Sequence, residues 1–229
     1  MRLKTPVNKE EFKTHITYNA WKYVLLVIAA LAVWSFVGDM KPSIPEDKKI
    51  EVYVMSATTD SEIIDPFLEP LWQATVPEME SVYSIMIPAL DEYTMAQYFV
   101  TRMYAKEGDI YILTEEYFKE YAKQGFFLPL EELTENGTID VEGVDLQNGY
   151  VTRVIYNSDN EVAATESHLY GIPLESFDAY QTKISLYNKN LYAGIMVLNQ
   201  NDDNVIPFFN ALLQEGRADS AQTAEEAKQ

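Results

Sequence analysis

Asp109-Ile-Tyr-Ile-Leu113 runs without a break into Thr-Glu-Glu-Tyr-Phe-Lys-Glu-Tyr-Ala-Lys-Gln-Gly125, and the reading of this stretch decides the fold. The β-branched and aromatic run at its start predicts a buried strand. Thr114 can cap a helix that continues through Lys123, and Gly125 sits where such a helix would exit. Two similar units lie upstream. Ile50-Glu-Val-Tyr-Val-Met-Ser56 predicts a strand, Thr58 to Ser61 a turn, and Ile63, Ile64, Phe67, Leu68, Leu71 and Trp72 recur at helical spacing. Asp65-Pro66 reads as the N-cap and first residue of that helix, which Pro70 should shorten or kink. Ser81-Val-Tyr-Ser-Ile-Met-Ile87 predicts a second strand. Asp91 can cap the following helix, with Ala96, Phe99, Val100, Met103 and Tyr104 on its apolar face and Gly108 at its end. Strand and helix alternating three times predict an α/β fold with a largely parallel sheet and right-handed crossovers.

Downstream the pattern weakens between Glu131 and Ser167. Residues 150–156 read as a short strand, Asn157 to Asn160 as a turn, and Tyr170-Gly-Ile-Pro-Leu174 as a turn entering an extended piece. Tyr192-Ala-Gly-Ile-Met-Val-Leu198 predicts another buried strand. Asn199 to Asn204 form a polar loop, and Val205, Phe208, Phe209, Leu212 and Leu213 a final amphipathic helix. Residues 215–229 are poor in apolar side chains and predict a disordered tail.

The N-terminal region has a different character. Residues 23–38 hold sixteen residues without a charge, flanked by Lys22 and Asp39. Trp21, Tyr23, Trp34 and Phe36 supply aromatics of the kind found at membrane interfaces, so the run predicts a transmembrane helix. Residues 1–22 carry a net charge of +3 and residues 23–229 a net of −22. That asymmetry places residues 1–22 in the cytoplasm and the main domain outside, with residues 39–49 as a linker and 50–214 as the extracytoplasmic α/β domain. The sequence thus predicts a single-pass protein of the cell membrane, with the membrane itself as one partner.

The whole chain has 36 acidic against 17 basic residues, a net of −19. That balance excludes a general nucleic-acid binder, whose affinity rests on Lys and Arg neutralising phosphates. The absence of cysteine excludes disulfide scaffolds, thiol catalysis and Cys-ligated metals.

The order of elements from Lys49 to Leu133, ending on Tyr117 to Leu133 with its Gly-Phe-Phe-Leu-Pro-Leu-Glu-Glu-Leu segment, resembles the first lobe of type II extracytoplasmic solute-binding proteins. Tyr170-Gly-Ile-Pro-Leu174 is similar to that family's crossover segment, and Tyr192 to Leu213 to its returning strand and helix. The resemblance covers residues 48–133 and 167–213. It implies a small solute (sugar, amino acid or peptide) as ligand, a transporter as partner, no cofactor and no catalysis. Only 36 residues, 131–166, lie between the matching regions, so the resemblance implies a truncated second lobe.

Ligand contacts are expected at the carboxyl edge of the sheet, where open α/β sheets bind. The candidates are Thr58, Thr59, Asp60 and Ser61 after the first strand, and Thr114 and Glu115 after the third. An ordinary turn and helix caps explain the same residues. Asn199, Asn201, Asp202, Asp203 and Asn204 gather oxygen ligands but lack the EF-hand spacing, so they read as a solvated loop with Asn204 as cap, and no metal is expected. His15 and His168 are the only histidines, and no nucleophile, phosphate-loop or dinucleotide motif appears. The sequence therefore predicts a membrane-anchored solute-binding-like protein, an accessory or sensor of a transporter. The alternative is a non-catalytic scaffold subunit of a membrane complex that has lost ligand binding.

Overall fold

The computed structural model describes residues 17, 18, 20–31, 44–88, 90–156, 159, 161–197 and 201–226. The chain divides into two units, residues 1–43 and 44–229. In the first unit residues 20–31 are helical. No helix among the described residues is long and apolar enough to cross a membrane. The single-pass membrane placement predicted from residues 23–38 is corrected on that ground; residues 32–38 of the expected span lie outside the described residues.

The second unit is built on a five-stranded sheet, order β2-β1-β3-β7-β6. Its strands are β1 (Lys49–Val54), β2 (Ser81–Met86), β3 (Ile110–Thr114), β6 (Ile172–Pro173) and β7 (Leu191–Ile195). β1 pairs in parallel with β2 and β3, whereas β7 is antiparallel to both β3 and β6. Four strands therefore share one direction and β7 alone is reversed. A separate hairpin pairs β4 (Tyr150–Tyr156) with β5 (Val162–Leu169).

The helices are α1 (Ser61–Thr75), α2 (Glu92–Ala105), α3 (Glu115–Lys123), α4 (Glu131–Glu135), α5 (Asp178–Ile184) and α6 (Asp202–Glu226). Period-2 alternation along the strands feeds two cores. Ile50, Val52, Val54, Ile110, Ile112 and Ile195 pack beneath α1, α5 and α6. Tyr53, Tyr111, Leu113 and Tyr192 pack beneath α2 and α3 with Phe99, Phe118 and Tyr121. Two glycines are required by close approach. Gly108, at φ +85°, leaves room for the Tyr53 ring, which a Cβ would meet at 2.5 Å. A Cβ on Gly171 would meet Phe118 at 2.5 Å, so this glycine lets α3 settle on the sheet.

Several local expectations shift. The N-cap of α1 is Asp60, whose carboxylate accepts the Ile63 N–H at 3.1 Å. Asp65 instead accepts from both the backbone and the hydroxyl of Ser84 at 2.7 Å, holding α1 to β2. Pro66 and Pro70 stand inside the helix without ending it. Both are exposed and four residues apart, so the carbonyls they leave unbonded lie on the side open to water.

Asn201, buried, precedes α6 and donates to the Lys49 carbonyl at 3.1 Å. Asn204 lies inside the helix rather than at its cap and donates to the Asn201 side chain. α6 then continues to Glu226, through the segment expected as a tail. Gly216 lies against the Tyr180 ring, and Arg217 donates to the carbonyls of Asp140 and Glu142 at 2.9 Å, which hold this part of the helix down.

Candidate functional site

β1 has β2 on one side and β3 on the other, so the crossovers leave it in opposite directions. The crevice above such a switch point is where open sheets take ligands. Here it is a groove of about 400 Å³, walled by Met55, Ile87, Leu90, Met95 and Tyr117 and rimmed by Thr58, Thr114, Tyr187 and Lys189.

Hydrogen bonds and ring contacts position Met55, Tyr117 and the two rim loops. The Met55 N–H donates to the Ile112 carbonyl at 2.9 Å, which extends the β1–β3 ladder into the loop. Thr58 accepts the Tyr187 N–H at 3.1 Å and shares a 3.1 Å hydrogen bond with the Ser56 hydroxyl. This ties the loop after β1 to the loop before β7. That second loop, residues 185–190, is bracketed by Ser185 and Asn190, both with left-handed φ, of 54° and 60°. Strain of this kind persists where the surroundings over-determine it. Asn188 does so here: it is buried, and its amide donates to the carbonyls of Leu174 and Phe177 at 2.7 and 2.9 Å. The result is a rigid loop presenting Tyr187 and Lys189 to the groove. Tyr117 is held from behind by the Phe99 and Tyr121 rings, at 6.0 and 6.4 Å.

The six residues expected at this edge separate into different uses. Thr58 lies on the groove rim, and Thr114 turns its hydroxyl toward the Met55 sulfur at 3.7 Å rather than capping α3. Thr59 has a buried hydroxyl without a hydrogen-bond partner among the described residues. Asp60 caps α1, and the Ser61 hydroxyl donates to the Ser84 carbonyl at 3.1 Å, so both hold structure. Glu115 starts α3, donates its N–H to the Asn190 carbonyl at 2.9 Å and pairs with Lys119 at 2.5 Å. Hydrogen bonding to Glu115 raises the Lys119 pKa. Met55, Leu90, Met95, Tyr117, Tyr187 and Lys189 were not candidates in the sequence. The polar Asn188-Lys189-Asn190 run directly before a buried strand was the one available signal.

Elsewhere, His168 on β5 lies 2.8 Å from Glu131 of α4 and 3.8 Å from Glu166, and none of the three lines the groove. Among the described residues no group of three or more His, Asp or Glu side chains forms a metal site.

No protein-family model and no curated protein sequence matches the chain. Among solved structures it is similar to an extracellular solute-binding protein family 1 member from Alicyclobacillus acidocaldarius, at 17% identity and a TM-score of 0.37, over 55% of this chain and 27% of that one. It is also similar to an ABC substrate-binding protein from Listeria monocytogenes in complex with cycloalternan, at 19% identity and a TM-score of 0.35, over 54% and 28%. A third is the galacto-N-biose/lacto-N-biose I-binding protein of an ABC transporter from Bifidobacterium longum, at 12% identity and a TM-score of 0.36, over 58% and 29%. The chain spans less than a third of the length of each.

Proposed function

We propose that this chain is a solute-binding-like, non-catalytic protein that holds a small solute in the carboxyl-edge groove and serves a transporter as accessory or sensor. The observation that carries the binding part is the groove itself. Its position at the switch point, apolar walls and a few rim hydroxyls match what small-molecule sites require. The rigid loop that presents Tyr187 supports the same reading, because preordering the contacts lowers the entropic cost of binding. The transport part is supported by the resemblance of the Asp109 to Leu133 and Tyr170 to Leu174 segments to solute-binding proteins. Sugars, amino acids and short peptides are the solutes to test.

Calorimetric titration of the full chain with a panel of these solutes tests the reading. At least one member should bind, and Tyr117→Ala and Tyr187→Ala should each weaken it about tenfold, as loss of an aromatic contact does. A panel without a binder, or binding untouched by both substitutions, would sink it.

A further inference from the structure

The groove at the switch point is uneven in its chemistry. Its body is apolar, formed by Met55, Ile87, Leu90, Met95 and Leu191. Among the described residues its lining holds no carboxylate, amide, imidazole or guanidinium side chain, although the whole chain carries 36 acidic residues. Lys189 is the one charged group in that lining.

The hydrogen-bond donors gather at one end. A second hollow, lined by Glu115, Glu116, Lys119 and Asn190, shares Thr114, Tyr117 and Lys189 with the groove. These three side chains stand where the two meet, and they bring a hydroxyl, a phenol and an ammonium. The Asn190 carbonyl accepts the Glu115 N–H at 2.9 Å, which sets the loop carrying Lys189 against the start of α3. The Thr114 hydroxyl meets the Met55 sulfur at 3.7 Å, a weak acceptor that a carboxylate oxygen would outcompete. Lys189 makes no ion pair among the described residues. Of the two carboxylates in the second hollow, Glu115 is matched by Lys119 at 2.5 Å and Glu116 has no such match.

We infer that the groove takes an apolar monocarboxylate, with its hydrocarbon part against Met55, Leu90 and Met95 and its carboxylate at the Thr114–Tyr117–Lys189 end. A hydrocarbon body gains by leaving water for such walls, whereas a sugar there would leave many of its hydroxyls without partners. An ionised carboxylate is acceptor-only, so it suits three donors, and the Lys189 charge complements its own. Met55 and Met95 are unbranched and adapt to different bodies, so the groove selects a chemical class rather than one shape. The inference rests on the solute-binding reading and narrows it to amphipathic acids.

The test uses the full chain at pH 7 with three probes of one length, hexanoate, 1-hexanol and hexylammonium, followed by NMR at the Met55 and Met95 methyls. Hexanoate should move both methyls and bind about tenfold more tightly than hexanol, as expected for charge-assisted hydrogen bonds, with hexylammonium the weakest. Lys189→Met should remove most of the preference for hexanoate without changing hexanol binding, and Lys189→Arg should keep it. Leu90→Ala should weaken hexanoate and hexanol alike. Glu116→Gln removes the unmatched charge in the second hollow and should tighten hexanoate about twofold, whereas Glu69→Gln, the same change on the outer face of α1, should leave it unaltered. Equal binding of hexanoate and hexanol, or a preference that survives Lys189→Met, would overturn the inference while leaving the solute reading standing. Hexylammonium binding as tightly as hexanoate would mark general attraction to the −19 chain and overturn it too. Binding of no probe would likewise overturn the inference alone, since the solute panel decides the broader reading.

Discussion

The two ends of β1 and β3 are closed to different degrees. At the amino end, Asp109 accepts the Glu51 N–H at 2.8 Å, and Glu51 receives Lys49 at 2.8 Å and the Tyr83 hydroxyl at 2.5 Å. Glu51 and Asp109 are buried, and their main partners are within the fold. At the carboxyl end, the Thr59 hydroxyl is buried without a hydrogen-bond partner among the described residues, and the surface opens into two hollows. A fold that ties two carboxylates down at one end of its strands and opens hollows at the other separates cohesion from recognition.

That comparison can be broken most forcefully from beneath the carboxyl edge. Phe118 is fully buried and stacks on Tyr192 and Phe127, at 4.8 and 5.5 Å. Phe118→Ala should destabilise the chain by about 3–5 kcal/mol in denaturant unfolding. A loss well under that would show that α3 is not what supports this edge.

The amino end should respond to pH. Burial raises the Asp109 pKa from 3.8 to about 7, reinforced by the negative charges of Glu51 and Glu46 and opposed by the Glu51 N–H and by Lys49. A carboxyl with a raised native pKa contributes stability fully below its unfolded pKa and loses it as pH rises through the native one. Wild-type stability should therefore fall, relative to Asp109→Asn, between about pH 4 and pH 7, by about 2–3 kcal/mol. The asparagine keeps an acceptor for the Glu51 N–H. Parallel pH profiles for the two proteins would refute the assignment.

Smaller effects sharpen the contrast. Asp60→Ala removes the α1 cap and should cost about 1 kcal/mol, read as a lowered thermal midpoint. Tyr187→Ala, at a residue 52% exposed, should change stability by no more than about 0.5 kcal/mol while impairing solute binding. Were it to unfold the chain, the loop before β7 would be structural rather than a recognition element.

Much of this fold was legible in the residues. Strands 50–56, 81–87 and 109–113 match β1, β2 and β3 within a residue or two, because β-branched runs flanked by turn residues have few other uses. β5 was not legible. Val162-Ala-Ala-Thr-Glu-Ser-His-Leu169 is exposed along most of its length, so no burial pattern marks it, and its ladder with β4 is what makes it a strand. The reversed direction of β7 was equally hidden, since a strand buried on both faces reads alike in either orientation.

The site was half legible. Thr58 and Thr114 follow from strand ends, but Tyr187 and Lys189 reach the groove only because Asn188 and two left-handed residues fold their loop over it. Asp60 and Ser61 looked equivalent to Thr58 in sequence and turn out to be committed to α1 and β2.

The central claim is that the carboxyl-edge groove binds a small solute. Methionine-methyl NMR of the full chain tests it most directly, because Met55 and Met95 line the groove while buried Met79 packs in the core on the other face of the sheet. Titration with sugars, amino acids and short peptides should give at least one solute that moves Met55 and Met95 saturably and leaves Met79 in place. Silence of both groove methyls across the whole panel, or equal movement of Met79, would contradict the account.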